Sequence, residues 1–503
     1  MKILFVWFNF DCPIGFSHGL AVLSHELKAA GHSVGLLHIN EAMGTPWNPS
    51  SIAQTIRRKH PDIVGFSFGT NHAWAARELA AAVKRALPGA ALVCGGIHTT
   101  IVPEEVAAWE GVDLAFAGEA DDHRLCAIVE RLGKGSVPVA SPGVWTKGPR
   151  DVRGNPMPPP VDLAAAPRPA DLDLFDHRRI LELKRGYADA ISGRGCAYRC
   201  TYCYHSAFSR GYASEFSAER VVAQVERVKK LYHPKFIRFN EDNFAFNRKR
   251  LRNVCKTLIE RKIRIRWACE SRADLSEADI ALMARSGCVA MGLGPETGSQ
   301  RMLDFIKKGI TTEEIERCFW RLVKYHIRIV LYVMYGFPTE TATDFQDTQD
   351  FLVRLDNPPY LFSRFVPIPG SELYQYCIDH NLISAPKRLE DWPEFIIRYG
   401  HSANLSLVPP AMIDAANDRF RARYAIQRFR FTLRHDPGYF WTAITNPAKF
   451  AREMRELIRY HIHMSALVRV RKVQFASVFT RQEAGPALAG APARSVAQEV
   501  STG

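Results

Sequence analysis

Along the first 132 residues, short apolar runs alternate with stretches in which apolar positions recur at helical spacing. Lys2–Phe8 (KILFVWF), Ser33–Ile39 (SVGLLHI), Asp62–Phe68 (DIVGFSF), Ala90–Cys94 and Asp113–Ala117 (DLAFA) are the runs. Helical patterns near His18–Ala30, Ser51–Lys59 and Ala73–Leu87 separate the first four. An apolar run without polar alternation suits a strand covered on both faces, and strands separated by helices predict a parallel sheet. The same rhythm resumes near Arg185 with longer units. Candidate strands there are Ala188–Ser192, Phe236–Asn240, Ile263–Glu270, Val289–Leu293, Ile327–Tyr335 and Leu361–Val366. Helical patterns intervene, as at Ala218–Leu231 and Arg248–Arg261. Six such repeats predict a parallel sheet curved into a partial barrel. Beyond residue 400 strand signals stop, and residues 410–475 read as helical.

Composition places the boundaries. Nine prolines fall in residues 138–169, including the run Pro158–Pro160, as in an extended, semi-rigid connector. The expected architecture is α/β. A doubly wound, flavodoxin-like domain over 1–132 precedes a proline-rich connector over 133–184 and a partial (β/α)6 barrel over 185–400. A basic helical C-terminal region over 401–480 and a disordered tail over 481–503, rich in small residues, complete it. At 503 residues the chain is long enough for such a division, and 47% hydrophobic with 23% charged residues is an ordinary globular composition. No run approaches the roughly 18 apolar residues of a membrane-spanning helix. The N-terminal apolar run, without a small-residue cleavage site, reads as a strand and not as an export signal. Eleven cysteines, an odd and sparse set, point to a reducing cytoplasm.

Three of those cysteines lie within eight residues. Cys196, Cys200 and Cys203, in SGRGCAYRCTYCYHS, form CxxxCxxC directly after an apolar strand. Three thiolates on one tight loop suit three corners of an iron–sulfur cluster, leaving one iron for a small chelating ligand. A structural zinc site with His205 as fourth ligand, and chance clustering of buried cysteines, are the other readings.

At this motif the chain resembles the radical S-adenosylmethionine (SAM) superfamily, whose signature is CxxxCxφC with an aromatic φ, here Tyr202. The resemblance extends to about residue 400. It implies that the loop follows the first strand of a partial barrel and binds a 4Fe-4S cluster and SAM. The stretch Phe239–Phe244 (FNEDNF), with Glu241 and Asp242, falls where that family holds the SAM amino group, and a carboxylate suits an ammonium. Arg272, after the third strand, is placed to pair with the SAM carboxylate, and Glu296, after the fourth, to accept from ribose hydroxyls. Gly336–Pro338 and Pro367–Gly370 resemble the family's later loops. Each residue also has a plainer reading: Glu241, Asp242 and Glu296 as helix caps, Arg272 as a surface ion pair. The implied chemistry is one-electron cleavage of SAM to a 5′-deoxyadenosyl radical, with an electron donor such as a flavodoxin or ferredoxin.

A doubly wound domain in front of such a barrel is similar to the cobalamin-binding subclass. The phrases GFSFGT (65–70), CGGIHTTIVPEE (94–105) and AGEAD (117–121) carry this resemblance. Ser67, Gly69, Gly95, Gly96, Gly118 and Glu119 are the candidate cobalamin-lining residues; all but Glu119 are small enough for a planar ring to approach the backbone. The loop after the first strand, NFDCPIGFSHG, lacks the DxHxxG motif that supplies a histidine to cobalt in other cobalamin domains. No histidine ligand is therefore expected from this domain. A degenerate domain without cofactor is the other reading.

The net charge of +14 is concentrated late in the chain. Residues 419–472 hold thirteen Lys and Arg against three acidic residues, interleaved with aromatics. Such a segment suits a solvated helical surface, an amphipathic element at the inner face of an anionic membrane, or nucleic acid. No recognised nucleic-acid module accompanies it. The resemblance implies an enzyme that transfers methyl groups with cobalamin to an unactivated carbon or phosphorus of a hydrophobic or extended metabolite, such as a lipid or pigment. A radical cyclase of the anaerobic porphyrin-ring type, and a membrane-associated binding protein that retains the fold, are the alternatives.

Overall fold

The computed structural model describes residues 1–435 except 13, 122, 149, 165–169, 206–210, 387–390 and 392–402, together with 445–448 and 451. Most of the basic 419–472 segment and the whole 481–503 tail lie outside the described residues. Residues 1–417 form one compact unit. A last described helix runs Pro410–His435. Among the described residues, no helix is long and apolar enough to cross a membrane.

The first sheet contains β1 (Lys2–Phe8), β2 (Ser33–Ile39), β3 (Ile63–Ser67), β4 (Ala91–Gly95), β5 (Leu114–Phe116), β6 (Val144–Lys147) and β7 (Val152–Gly154), in the order β2-β1-β3-β4-β5-β6-β7. Strands β1 to β5 are parallel, in the doubly wound order that the pattern predicts. Alternation along β1 shows why its sequence is apolar throughout. Leu4, Val6 and Phe8 enter one core and Ile3 and Phe5 another, so no face is left for polar residues. Helices α1 (His18–Ala29), α2 (Pro49–Lys59), α3 (Ala73–Ala86), α4 (Ile97–Ile101), α5 (Pro103–Ala108) and α6 (Arg124–Gly133) cover the sheet. The alanine face of α3 (Ala73, Ala76, Ala80) lets that helix approach closely.

Within the proline-rich stretch, β6 and β7 pair antiparallel and extend the first sheet from β5. Alternation there is too short to register in the pattern. The pairing depends on Gly154, where a Cβ would lie 2.0 Å from the Trp145 ring. A short helix, α7 (His177–Leu183), then leads into the second sheet.

That sheet contains β8 (Tyr187–Ala190), then β11 (Phe236–Phe239), β12 (Trp267–Ser271), β13 (Cys288–Glu296), β14 (Arg328–Tyr335) and β15 (Tyr360–Arg364). It is all parallel, in the order β15-β14-β13-β12-β11-β8. On either side of the cysteine loop the chain forms a small antiparallel ribbon, β9 (Gly193–Gly195) with β10 (Ala213–Glu215). The expected single strand to Ser192 therefore stops at Ala190. Ser192 leaves the sheet because its N–H and hydroxyl both bond the Glu241 carboxylate. Gly193 then passes so close to Ser214 that a Cβ would lie 2.9 Å from its carbonyl oxygen.

The two sheets share a core. Phe8, Phe66 and Leu79 of the first domain belong to one buried cluster with Met302, Ile306, Phe337, Phe365, Leu373 and Cys377 of the second. Truncating a buried phenylalanine costs about 3–5 kcal/mol. Phe365→Ala is expected to lower the denaturation midpoint of the whole 1–417 unit in one transition. Calorimetry resolving two transitions, with only the second displaced, would refute the shared core.

Candidate active site

A cavity of about 720 Å³ lies between the carboxyl ends of β3, β4 and β5 and the loops that follow β8 and β11, with Ile3 and Phe5 of β1 and the short β9 also on its wall. It brings together Ser67, Gly95, Gly96, Gly118 and Glu119 of the first domain with Glu241 and Asp242 of the second. Gly69 does not line it; a Cβ there would meet the Asn71 side chain at 2.9 Å. Two of these glycines are demanded by backbone geometry. Gly96 has φ +97° and would place a Cβ 2.8 Å from the Phe68 carbonyl oxygen, while Gly118 has φ +102° and faces Met157. Thr100, which the sequence reading passed over, ties these loops together. Its hydroxyl accepts from the Gly118 N–H (3.0 Å) and donates to the Gly96 carbonyl (2.9 Å).

The domain junction inside the cavity is ionic. Arg194 Nη1 lies 2.7 Å from the Asp121 carboxylate and 3.5 Å from that of Glu119, whose other oxygen accepts the Val161 N–H at 2.6 Å. Arg194 sits in the SGRGC phrase, where only the cysteine drew notice; its partners are about seventy residues away.

The acidic pair after β11 divides its work. Glu241 is buried and committed to Ser192, and burial raises its pKa to about 7 against the pull of those hydrogen bonds. Asp242 is more open. It accepts from Tyr204 Oη at 3.2 Å and lies 2.6 Å from His205 Nε2. Neither caps the helix over Arg248–Glu260, which Asn247 caps.

The cysteine loop is anchored at its centre. Thr201 N–H donates to the Ile306 carbonyl (3.1 Å), its carbonyl accepts from Leu373 N–H (2.9 Å), and Cys203 N–H closes a turn on the Cys200 carbonyl (3.1 Å). None of the eleven cysteines forms a disulfide. Burial pushes the Cys196 thiol up and the Cys203 thiol to about 12, so metal-free thiolates are disfavoured here. Arg272 offsets such charge. Its guanidinium stacks 3.9 Å above the Tyr198 ring, donates to the Lys308 carbonyl and reaches within 3.8 Å of Cys200 Sγ. Arg272 is thus buried beside the loop and outside the cavity, not in a surface pair.

Ligand spacing bears on the single-ion reading. Around one zinc, donor atoms crowd within about 4 Å of one another. Among the described residues, one Glu–His–Cys group, Glu26, His123 and Cys126, has its ligand atoms all within 4.8 Å. The three loop cysteines with His205 do not, as suits a cluster that holds its ligands apart on separate irons.

Glu296 is spoken for. At φ +65°, beyond a bulge in β13, it pairs with Lys308 at 2.8 Å in a nearly buried bridge. Tyr202 Oη lies 3.4 Å from the same Lys308, and the Tyr202 ring stands edge-on to Phe337. Lys308 went unnoticed in the sequence, as did Glu340. Fully buried, Glu340 accepts N–H groups of Gly336 (2.5 Å) and Phe337 (3.2 Å) and so shapes the loop after β14.

With this geometry established, comparison with known proteins assigns the two halves. Residues 190–352 match the Radical SAM superfamily and residues 14–125 the B12 binding domain. An uncharacterized methyltransferase of Pyrococcus horikoshii is 28% identical over 369 residues, covering 73% of this chain and 79% of that protein. The anaerobic magnesium-protoporphyrin IX monomethyl ester cyclase of Rubrivivax gelatinosus is 25% identical over 399 residues, covering 75% and 70%. Among solved structures, the radical SAM methyltransferase TsrM of Kitasatospora setae shares the fold. Its TM-score is 0.65 at 18% identity, covering 78% of this chain and 83% of that one. The chain is therefore an enzyme that joins a B12-binding domain to a radical SAM domain. Its cofactors are accordingly a 4Fe-4S cluster, SAM and cobalamin, and the separated, cation-flanked cysteines fit the first of these.

Two outcomes follow. Cys200→Ala tests the expected ligand set of Cys196, Cys200 and Cys203: iron after anaerobic reconstitution is expected to fall from about four per chain towards none. Undiminished iron would return the loop to a structural role. Glu340, raised by burial from about 4.5 to about 7, holds its proton longer in the folded state. Its contribution is fully present below pH 4.5 and is lost as pH rises through 7, by up to about 3 kcal/mol. In Glu340→Gln, stability measured by urea denaturation should decline less between those pH values than in the wild type.

Proposed function

We propose that this enzyme is a cobalamin-dependent radical SAM methyltransferase, acting on an unactivated carbon or phosphorus of a small hydrophobic or extended molecule. The observation that carries this reading is the single cavity on which the B12-domain loops and the carboxylates beside the cysteine loop converge. A corrinoid held there would lie against Ser67, Gly95, Gly96, Gly118 and Glu119. Together the bound groups would supply a reducing electron, a radical initiator and a methyl carrier.

The chain's own residues perform the rest. Cys196, Cys200 and Cys203 hold the cluster and leave one iron without a protein ligand. Asp242, kept at the cavity wall by Tyr204 and His205, meets the SAM ammonium. Glu241 holds the turn before the cysteine loop through Ser192 and leaves the ammonium to its neighbour. Lys308 neutralises Glu296 below Tyr202, so a nearby anionic group such as the SAM carboxylate meets no net negative charge. Ile97, Pro158, Pro159, Pro160 and Ile191 make the wall apolar and limit water around the reacting atoms. A flavodoxin or ferredoxin is the proposed electron donor, and residues 419–472 the proposed site of any peripheral membrane contact.

The cyclase relative supports a second reading, a radical cyclase or rearrangement on the same scaffold. One experiment separates the two. The protein is purified without oxygen, reconstituted with iron, sulfide and hydroxocobalamin, reduced, and given SAM with a deuterated methyl group. Deuterated methylcobalamin, detected by mass spectrometry at one corrinoid and about four irons per chain, is the expected result. Four irons without corrinoid would sink methyl transfer and leave hydrogen abstraction.

A further inference from the structure

Outside the cavity, one group of metal-binding side chains takes no part in the reaction described above. Glu26 lies in α1, and His123 and Cys126 stand at the start of α6, with the ligand atoms of all three within 4.8 Å of one another. None of the three lines the cavity. Glu26 and Cys126 are buried, whereas His123 is exposed.

Local structure holds the group together. His123 precedes the first residue of α6 with φ +59°, and its N–H donates to the Glu26 carboxylate at 3.2 Å. Its carbonyl accepts from the Ala127 N–H (3.0 Å), and the Leu125 N–H closes on the Ala120 carbonyl (2.9 Å). Cys126, three residues on, falls on the same side of the first helical turn. Imidazole and thiol are thereby delivered to a carboxylate ninety-seven residues away from the histidine.

The chemistry of the donors selects the ion. Magnesium and calcium take oxygen ligands, whereas carboxylate, imidazole and thiolate together suit zinc. Small side-chain rotations bring the donors to the roughly 4 Å spacing of a tetrahedral site, and the exposed side leaves the fourth position to water. Burial, with the Glu26 and Glu130 charges adding, pushes the Cys126 thiol up to about 11, so zinc displaces the thiol proton to solvent as it binds.

We propose that Glu26, His123 and Cys126 form a zinc(II) site that pins the start of α6 to α1. The ion is separate from the cluster irons and touches no reacting atom. Its role is positional and reaches the cavity through Asp121, two residues before His123, whose carboxylate meets Arg194 at 2.7 Å across the domain junction.

The test uses the full-length enzyme with its cluster already reconstituted, so that the loop cysteines are occupied. One equivalent of zinc sulfate is added and loosely held metal is removed on a chelating resin. Zinc and iron are then counted by mass spectrometry, and zinc X-ray absorption reports the ligands. About one zinc beside about four irons per chain, with one sulfur at about 2.3 Å and nitrogen or oxygen at about 2.0 Å, is the expected result. In equilibrium dialysis against a chelator of known affinity, His123→Ala and Cys126→Ser are each expected to weaken zinc by more than about a hundredfold, beyond the loss of an outer-shell partner. Iron should stay unchanged in both, which reports an intact fold. Wild-type enzyme that retains no zinc, a zinc shell without sulfur (adventitious surface binding), variants that hold zinc as tightly as the wild type, or loss of iron together with zinc would overturn the proposal.

Discussion

Parallel pairing is the constraint on which this molecule depends. A parallel strand must be re-entered from the same end, so successive strands deliver their outgoing loops to one edge. The first sheet does this with Ser67, Gly95–Gly96 and Gly118–Glu119; the second does it with the cysteine loop, Glu241–Asp242, Arg272 and Glu296. Each edge is a row of short, polar, glycine-bearing turns that cannot form a core of its own. The buried cluster shared by Phe8, Phe66, Phe337 and Phe365 keeps the two domains packed as one unit, and the cavity is enclosed between the edges.

Polar residues within this unit are matched in pairs. Arg194 answers Asp121 and Glu119, Lys308 answers Glu296, and Arg250 answers Glu215 at 2.9 Å while donating to the Ser192 and Phe244 carbonyls. Buried ion pairs add little net stability, because desolvation consumes much of their attraction, but removing one partner is severe. Their value here is positional. Arg250 and Glu241 together fix the turn at Ser192, and that turn sets where the cysteine loop begins.

Local chemistry was legible in the sequence and long-range pairing was not. Lys2–Phe8 and Ser33–Ile39 emerge with their expected bounds because a doubly covered strand leaves an unbroken apolar run. The cysteines declare themselves through spacing alone. By contrast, the β9–β10 ribbon rests on Ser192 meeting Glu241, forty-nine residues on, and β6–β7 rests on one glycine passing under a tryptophan. Glu296, expected to accept from ribose hydroxyls, also pairs with Lys308, twelve residues later, because a lone carboxylate in that buried setting requires a cation. Arg272 reads as a partner for the SAM carboxylate or as half of a surface ion pair, and its burial beside Cys200 shows only once the loops around it close. Such partnerships leave no period or motif to read.

The connector has a consequence for how these domains can be exchanged. Met157 packs on Gly118, the Gly143 N–H donates to the Pro156 carbonyl at 2.8 Å, and Arg124 reaches back to the Pro159 carbonyl at 3.0 Å. The proline run is therefore a wall of the chamber and not a tether around it. A chimaera joined at residue 132 would inherit a cofactor bed open on one side. One joined beyond Val161 would carry its own wall, so the natural unit of recombination extends some thirty residues past the last helix of the first domain.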